Sequence, residues 1–379
     1  MAAKFMFGRG IGVGLGGGLV AAGAIACAQP APDSAATTTT EVPDAAPNVV
    51  VTTSVLCDLT EQIAEETINL TCLLAPGQDP HTYQPQPTDR LAVDEADLVL
   101  FDGYNFAPAV IGLVQASTTE APRIAVYEAA VPNPLMGQGH DHDHDHGTAE
   151  SHDHAHDDPE AAHDHDDHAH DAGDEHHHDE TATGEATPTS DQVPDPHIWH
   201  SAENTAAIAA VIADELAQVN PEQADRYQQN ADQLVETLTE LDEWIQVQVN
   251  TIPAGDRHLV TTHDSFRYFA DAYGLEVKGA LSGLSTAEKP SAKVLTDLAD
   301  QVKAAQVPAI FAESTTNPEL INAIAREAAV GVAEQPLFVE GPGTADSAAP
   351  TTQAMLVVNT CTIVNALGGT CDATQAPLP

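Results

Sequence analysis

Positive charge is what this chain has least of. Only 12 Lys and Arg stand against 58 Asp and Glu, for a formal net charge of −46. Nucleic acid and anionic membrane surfaces repel such a field, so neither is expected as a partner, whereas cations are. Long apolar runs are also missing. The best candidate, Ile11 to Ala26, is a Gly/Ala/Val/Leu stretch too short and too small-sided to read as a membrane span. No His-Glu-x-x-His helix occurs, and no general base stands beside a candidate ligand, which argues against a zinc hydrolase and for a protein that is not an enzyme.

Cysteine is scarce too, with five in all. Cys27 closes an N-terminal segment, residues 1–27, with Lys4 and Arg9 in a basic start, the apolar run, and then Ala24-Ile25-Ala26-Cys27. That order resembles a bacterial lipobox, in which the Cys becomes the lipidated first residue of the mature chain. The other reading is cleavage after Ala26 without a lipid. Either way the chain is exported, to the periplasm or the cell surface. Residues 28–47 lack an apolar pattern and read as a flexible tether. The four remaining cysteines suit an oxidising compartment, where sequence proximity pairs Cys57 with Cys72 and Cys361 with Cys371. Buried thiols are the alternative.

What the chain has in excess is histidine in one place. Gly139 to Glu180 carries 14 of the 19 histidines: His140, His142, His144, His146, His152, His154, His156, His163, His165, His168, His170, His176, His177 and His178. They are interleaved with Asp and Glu, and no apolar residue there exceeds Ala. Such a stretch cannot bury enough surface to offset its ordering entropy, so a mobile loop is expected. Imidazole beside carboxylate makes an exchange-tolerant auxiliary ligand set for Zn²⁺ and, less selectively, for Cu²⁺ or Ni²⁺.

The rest alternates between β-branched runs and helical periodicity. Strands are predicted at 48–53, 68–74, 97–102 and 123–127, then at 257–262, 275–280, 308–312 and 335–341. Helices are predicted at 202–219, 263–274, 293–305, 317–329 and 351–367. Asn220-Pro221 caps a further helix that keeps its apolar spacing to Pro253, a rod of roughly 45 Å. The predicted class is α/β: two lobes, each a parallel sheet with flanking helices, joined by one long rigid helix, with metal bound between the lobes. The divisions are 48–220 for the first lobe, with 139–180 as its insertion, 221–252 for the linking helix, and 253–379 for the second lobe.

Five histidines lie outside the insertion. His81 sits in a stiff loop with four prolines after the second strand. His197 follows Asp195-Pro196, and His263 follows a strand. Glu340 stands at a further strand end. His258 starts a strand at the far end from the cleft and is read as structural. Three neutral imidazoles and a carboxylate make a tetrahedral site better suited to Zn²⁺ than to Mn²⁺. An imidazole must be neutral to ligate, so binding should weaken below about pH 6.

The stretches GQDPHTYQPQPTD, DPHIW with its long helix, and THDSFRYFADAYGL resemble the zinc-uptake branch of the metal-binding solute-binding lipoproteins of bacterial ABC transporters. The resemblance covers about residues 48–370. It implies that His81, His197 and His263 ligate Zn²⁺, carried as transported substrate, with Glu340 or water in fourth place. It implies two lobes clamping the metal, the long helix limiting their motion, and a monomer feeding a permease and its ATPase. Manganese relatives tend to carry Glu where His263 stands. Two positions depart from the pattern. His200 replaces an apolar residue and could orient a ligand from behind or add another nitrogen. Asn105-Phe106-Ala107 replaces a more usual acidic-aromatic segment. The alternatives are a manganese or iron protein of the same family, a zinc buffer or adhesin, and a three-histidine hydrolase.

Overall fold

The computed structural model describes residues 46–138, 192–287 and 290–378. Cys27, residues 28–45 of the tether and all fourteen histidines of the insertion lie outside these residues. Among those described, no helix is long and apolar enough to cross a membrane.

The first half is a parallel sheet of β1 (Asn48–Val51), β2 (Asn69–Cys72), β3 (Leu98–Phe101) and β4 (Arg123–Ala125), in the order β2-β1-β3-β4. Its central strands β1 and β3 are near-continuous apolar runs because both faces are covered, whereas the edge strands β2 and β4 are partly exposed. Val49 and Val51 enter one buried cluster, and Val50 enters another on the opposite face. Helices α1 (Ser54–Ala64), α2 (Pro87–Asp94) and α3 (Pro108–Gln115) supply crossovers. The expected strand at 123–127 is cut short. After Ala125 the chain turns into α4 (Val126–Ala130), which buries Val126 and Tyr127.

An antiparallel ribbon, absent from the sequence reading, follows. Strand β5 (Met136–Gln138) pairs with β6 (Gln192–Pro194), and the two bracket the histidine-rich insertion. Its strands are only three residues long, too short to show a period. Then come α5 (Ala202–Val219), whose Ser201 side chain accepts from the Asn204 N–H, and α6 (Ala224–Val249). Pro221 to Gln223 form a 3₁₀ turn, so the α-helix itself starts later than the cap suggests. At 1.5 Å per residue its 26 residues span roughly 39 Å.

The second half holds β7 (His258–His263) parallel to β8 (Glu276–Ser282), and β9 (Ala309–Ile310) parallel to β10 (Gly331–Val332). The Phe311 N–H donates to the Val260 carbonyl at 2.9 Å and joins the two pairs. Helices α7 (Arg267–Tyr273), α8 (Ala292–Ala305), α9 (Glu319–Ala328) and α10 (Thr352–Ala366) complete it. Three boundaries differ from expectation. His263 ends β7 and does not open the helix, which begins at Arg267. Strand β10 was not anticipated. Residues 335–341 form no strand: Leu337 makes an isolated bridge to Glu313, and Glu340 lies in the loop beyond.

Helix α6 packs against α1, α5, α7 and α10, and so touches elements of both halves. One apolar cluster accordingly runs from Val49 and Leu100 through Leu238 and Ile245 to Phe311 and Leu356. Both expected disulfides are formed, Cys57–Cys72 and Cys361–Cys371.

Candidate metal centre

His81, His197, His263 and Glu340 converge where the two halves meet, and one ligand atom from each lies within 4.8 Å of the others. All four residues are buried, His197 and His263 completely. Each arrives from a different element. His81 comes from the loop after β2, His197 from the loop after β6, and His263 from the end of β7. Glu340 precedes Gly341, whose φ of +132° and 2.2 Å clearance to the Ser54 hydroxyl for any added Cβ leave room only for glycine. The same Ser54 hydroxyl donates to the Glu340 carbonyl at 3.3 Å, tying that loop to the start of α1.

A carboxylate fixes each histidine. The Asp79 side chain accepts from the His81 backbone N–H at 2.9 Å. Asp195 Oδ1 accepts from the His197 N–H at 3.0 Å and from its Nδ1 at 2.9 Å. Glu313 accepts from the His263 N–H at 2.8 Å through Oε1 and from Nδ1 at 2.7 Å through Oε2. With Nδ1–H engaged, both Nε2 atoms turn toward the shared space, where they stand 3.3 Å apart. His263 Nε2 is 3.5 Å from Glu340 Oε1, and His81 Nε2 is 3.9 Å from Glu340 Oε2.

Sequence reasoning missed these three carboxylates as orienting groups. Two were visible in principle, because Asp-Pro-His occurs twice, at 79–81 and 195–197. Glu313 was not, since it lies 50 residues from the histidine it holds.

Burial dominates the electrostatics. It drives His197 well below the ordinary imidazole value, and the neighbouring His263, His81 and His200 add to the effect. Burial would also lower His263, but the Glu313 carboxylate, with Glu340 and Asp79, outweighs it and raises the imidazole to about 9. Glu340 is raised to about 8 by burial, against the pull of His263. Among the described residues its two oxygens have no hydrogen-bond donor. A buried carboxylate without donors is costly unless a cation meets it. Three imidazoles and such a carboxylate suit a divalent ion.

The remaining two histidines outside the insertion, His200 and His258, fall outside the group. His200 is buried against Phe266, with ring centroids 4.2 Å apart, and burial lowers it to about 3. It is neutral and packed; it adds no nitrogen to the four-residue group. His258 begins β7, with its Nε2 3.8 Å from Glu276.

The chain has clear relatives. It is 26% identical over 326 residues to the manganese-binding lipoprotein MntA of Halalkalibacterium halodurans, covering 84% of this chain and 88% of that one. It is 26% identical over 335 residues to the zinc-binding protein TroA of Treponema pallidum, covering 86% and 90%. The solved structure of that periplasmic protein superposes with a TM-score of 0.68 at 25% identity, over 85% of this chain and 99% of the other. Residues 49–366 match the family described as zinc-uptake complex component A, periplasmic. The chain therefore belongs to that family of metal-binding proteins, substrate-binding components of ABC transporters.

Proposed function

We propose that this protein captures Zn²⁺ outside the cytoplasm and delivers it to a permease and its ATPase, working as a monomer held at the membrane by a lipid on Cys27. The relatives named as lipoproteins support the anchor. His81, His197 and His263 are the proposed nitrogen ligands, with Glu340 as the fourth. The 253–379 lobe closes on the 48–220 lobe, and the long helix limits the motion. One observation carries the choice of metal. A tetrahedron of bonds near 2 Å has edges of about 3.3 Å. The His197–His263 and His263–Glu340 separations of 3.3 and 3.5 Å lie near such edges, and the His81–Glu340 separation of 3.9 Å is longer.

A second reading has its own support. Glu340 turns Oε1 toward His263 and Oε2 toward His81, so it could bind an ion through both oxygens. Higher coordination of that kind suits Mn²⁺, and two of the relatives are named as manganese-binding. Competition between the two metals at equal concentration decides. The zinc reading expects zinc to displace manganese, and His263→Ala to weaken zinc binding by at least roughly tenfold, about 1.4 kcal/mol. A parent protein that retains manganese against zinc would reverse the assignment.

A further inference from the structure

The chain reaches the centre through a strained turn that the metal ligands do not need. Gly103, Tyr104 and Asn105 have φ of +95°, +47° and +58°, three left-handed residues in a row. Two of them carry a Cβ, for which this conformation is costly, and such strain persists only where the surroundings over-determine it. Here they do. Asp102, fully buried, accepts from the Thr52 hydroxyl at 2.7 Å and from the Ala107 N–H at 3.1 Å. Glu128 accepts from the Tyr104 N–H at 3.0 Å, and the Tyr104 hydroxyl donates to the Val131 carbonyl at 2.5 Å.

The product of this arrangement is the placement of one side chain. Phe106 is fully buried and stands edge-on to both His81 and His197, with ring centroids 5.1 and 5.6 Å away at 88° and 79°. Trp199, whose indole N–H donates to the Val339 carbonyl, backs it at 4.6 Å. The outer residues of the same turn, Tyr104 and Asn105, line a cavity of about 610 Å³ that also reaches His81. One ring thus fills the space beside two imidazoles while the far side of its loop borders open volume.

We propose that Phe106 sets metal specificity by holding the coordination number at four. Its apolar ring denies water a place beside the ion along the His81–His197 edge. An ion content with tetrahedral ligation loses nothing by this, whereas one that keeps bound waters is penalised. The inference rests on the zinc reading and names what enforces it.

Co²⁺ serves as the probe, because its visible absorption is intense in four-coordinate sites and weak in five- or six-coordinate ones. One equivalent is added to the full chain and to Phe106→Ala, so that the insertion contributes equally to both. The expected result is an intense parent spectrum that weakens in Phe106→Ala, a zinc-over-manganese preference reduced by about tenfold, and a Phe106→Leu variant close to the parent. Should Phe106→Ala not fold, Phe106→Val replaces it, with a smaller change in the same direction. A parent that is four-coordinate and zinc-selective, beside a folded variant with the same spectrum and preference, overturns the role of Phe106 alone. A parent that is itself five- or six-coordinate, or that prefers manganese, overturns the zinc reading and this inference with it.

Discussion

Glu313 shows how a residue remote in sequence can govern a binding site. It accepts from both the backbone N–H and Nδ1 of His263, and so sets the imidazole's tautomer and its direction. Groups of this kind commonly tune metal affinity by 10- to 100-fold. Glu313→Gln should weaken zinc binding by a factor of that order, read by competition with a chelating dye, while the fold survives. Unchanged affinity would remove Glu313 from the centre. The same carboxylate changes the pH response. Ordinary imidazoles would put the loss of binding below about pH 6. His197 is neutral there, but His263 is raised to about 9, and its Nε2 must shed its proton before an ion can take that lone pair. A raised value means that protons compete with the metal at any pH below about 9. Glu340, raised to about 8, must also be deprotonated to bind, so affinity should increase as pH rises from 6 and level off above about 9, by up to about a hundredfold per unit where two protons are released and about tenfold per unit where one is. Titrations at stepped pH would show this slope, and a flat profile from 7 to 9 would contradict it. The histidines themselves were legible because each stands where a sheet opens, two of them after Asp-Pro. Glu340 was legible by position although not by element, since the run around it looked like a strand and is a loop beyond one bridge. Glu313 was not legible, because only the pairing of β7 with the short β9 segment brings it within reach.

At the scale of elements, long periodic segments announced themselves and short ones did not. Helices α5, α6 and α10 have enough turns for the apolar spacing to show, and their bounds fall within a few residues of expectation. Strands β5, β6, β9 and β10 have two or three residues, and their pairing comes from tertiary packing and not from local preference. The Cys57–Cys72 disulfide joins α1 to the end of β2, just before the loop that carries His81, across a separation of 15 residues. Closing a loop of that size restrains the unfolded chain by about 3 kcal/mol in the chain-entropy description. The paired replacement Cys57→Ser with Cys72→Ser should lower the thermal midpoint by several degrees, as followed by calorimetry. An unaltered midpoint would mean that the bridge adds nothing to stability.

At the scale of the whole molecule, the question is what the histidine-rich insertion does for a fold that already brings four candidate ligands together. It leaves after Gln138 and returns before Gln192, residues that face each other in the β5–β6 ribbon. The ends it must join are thus already together, and shortening the connection costs little chain entropy. Its candidate ligands outnumber those of the centre, but its sequence has no apolar residue larger than Ala to bury around an ion, so each ion it takes carries an ordering cost. The buried centre has two imidazoles held by Asp195 and Glu313 and the His81 backbone pinned by Asp79, so the insertion's sites should be weaker and more numerous. Deleting Gly139 to Glu180 leaves residues 181–191 to bridge the ribbon. Calorimetric titration of this variant with zinc should show a stoichiometry near one, an affinity within about threefold of the parent's tight event, which is under ~0.7 kcal/mol, and an almost unchanged thermal midpoint. Loss of the tight event on deletion would move the primary site into the insertion and leave the buried carboxylate of Glu340 without an assigned partner.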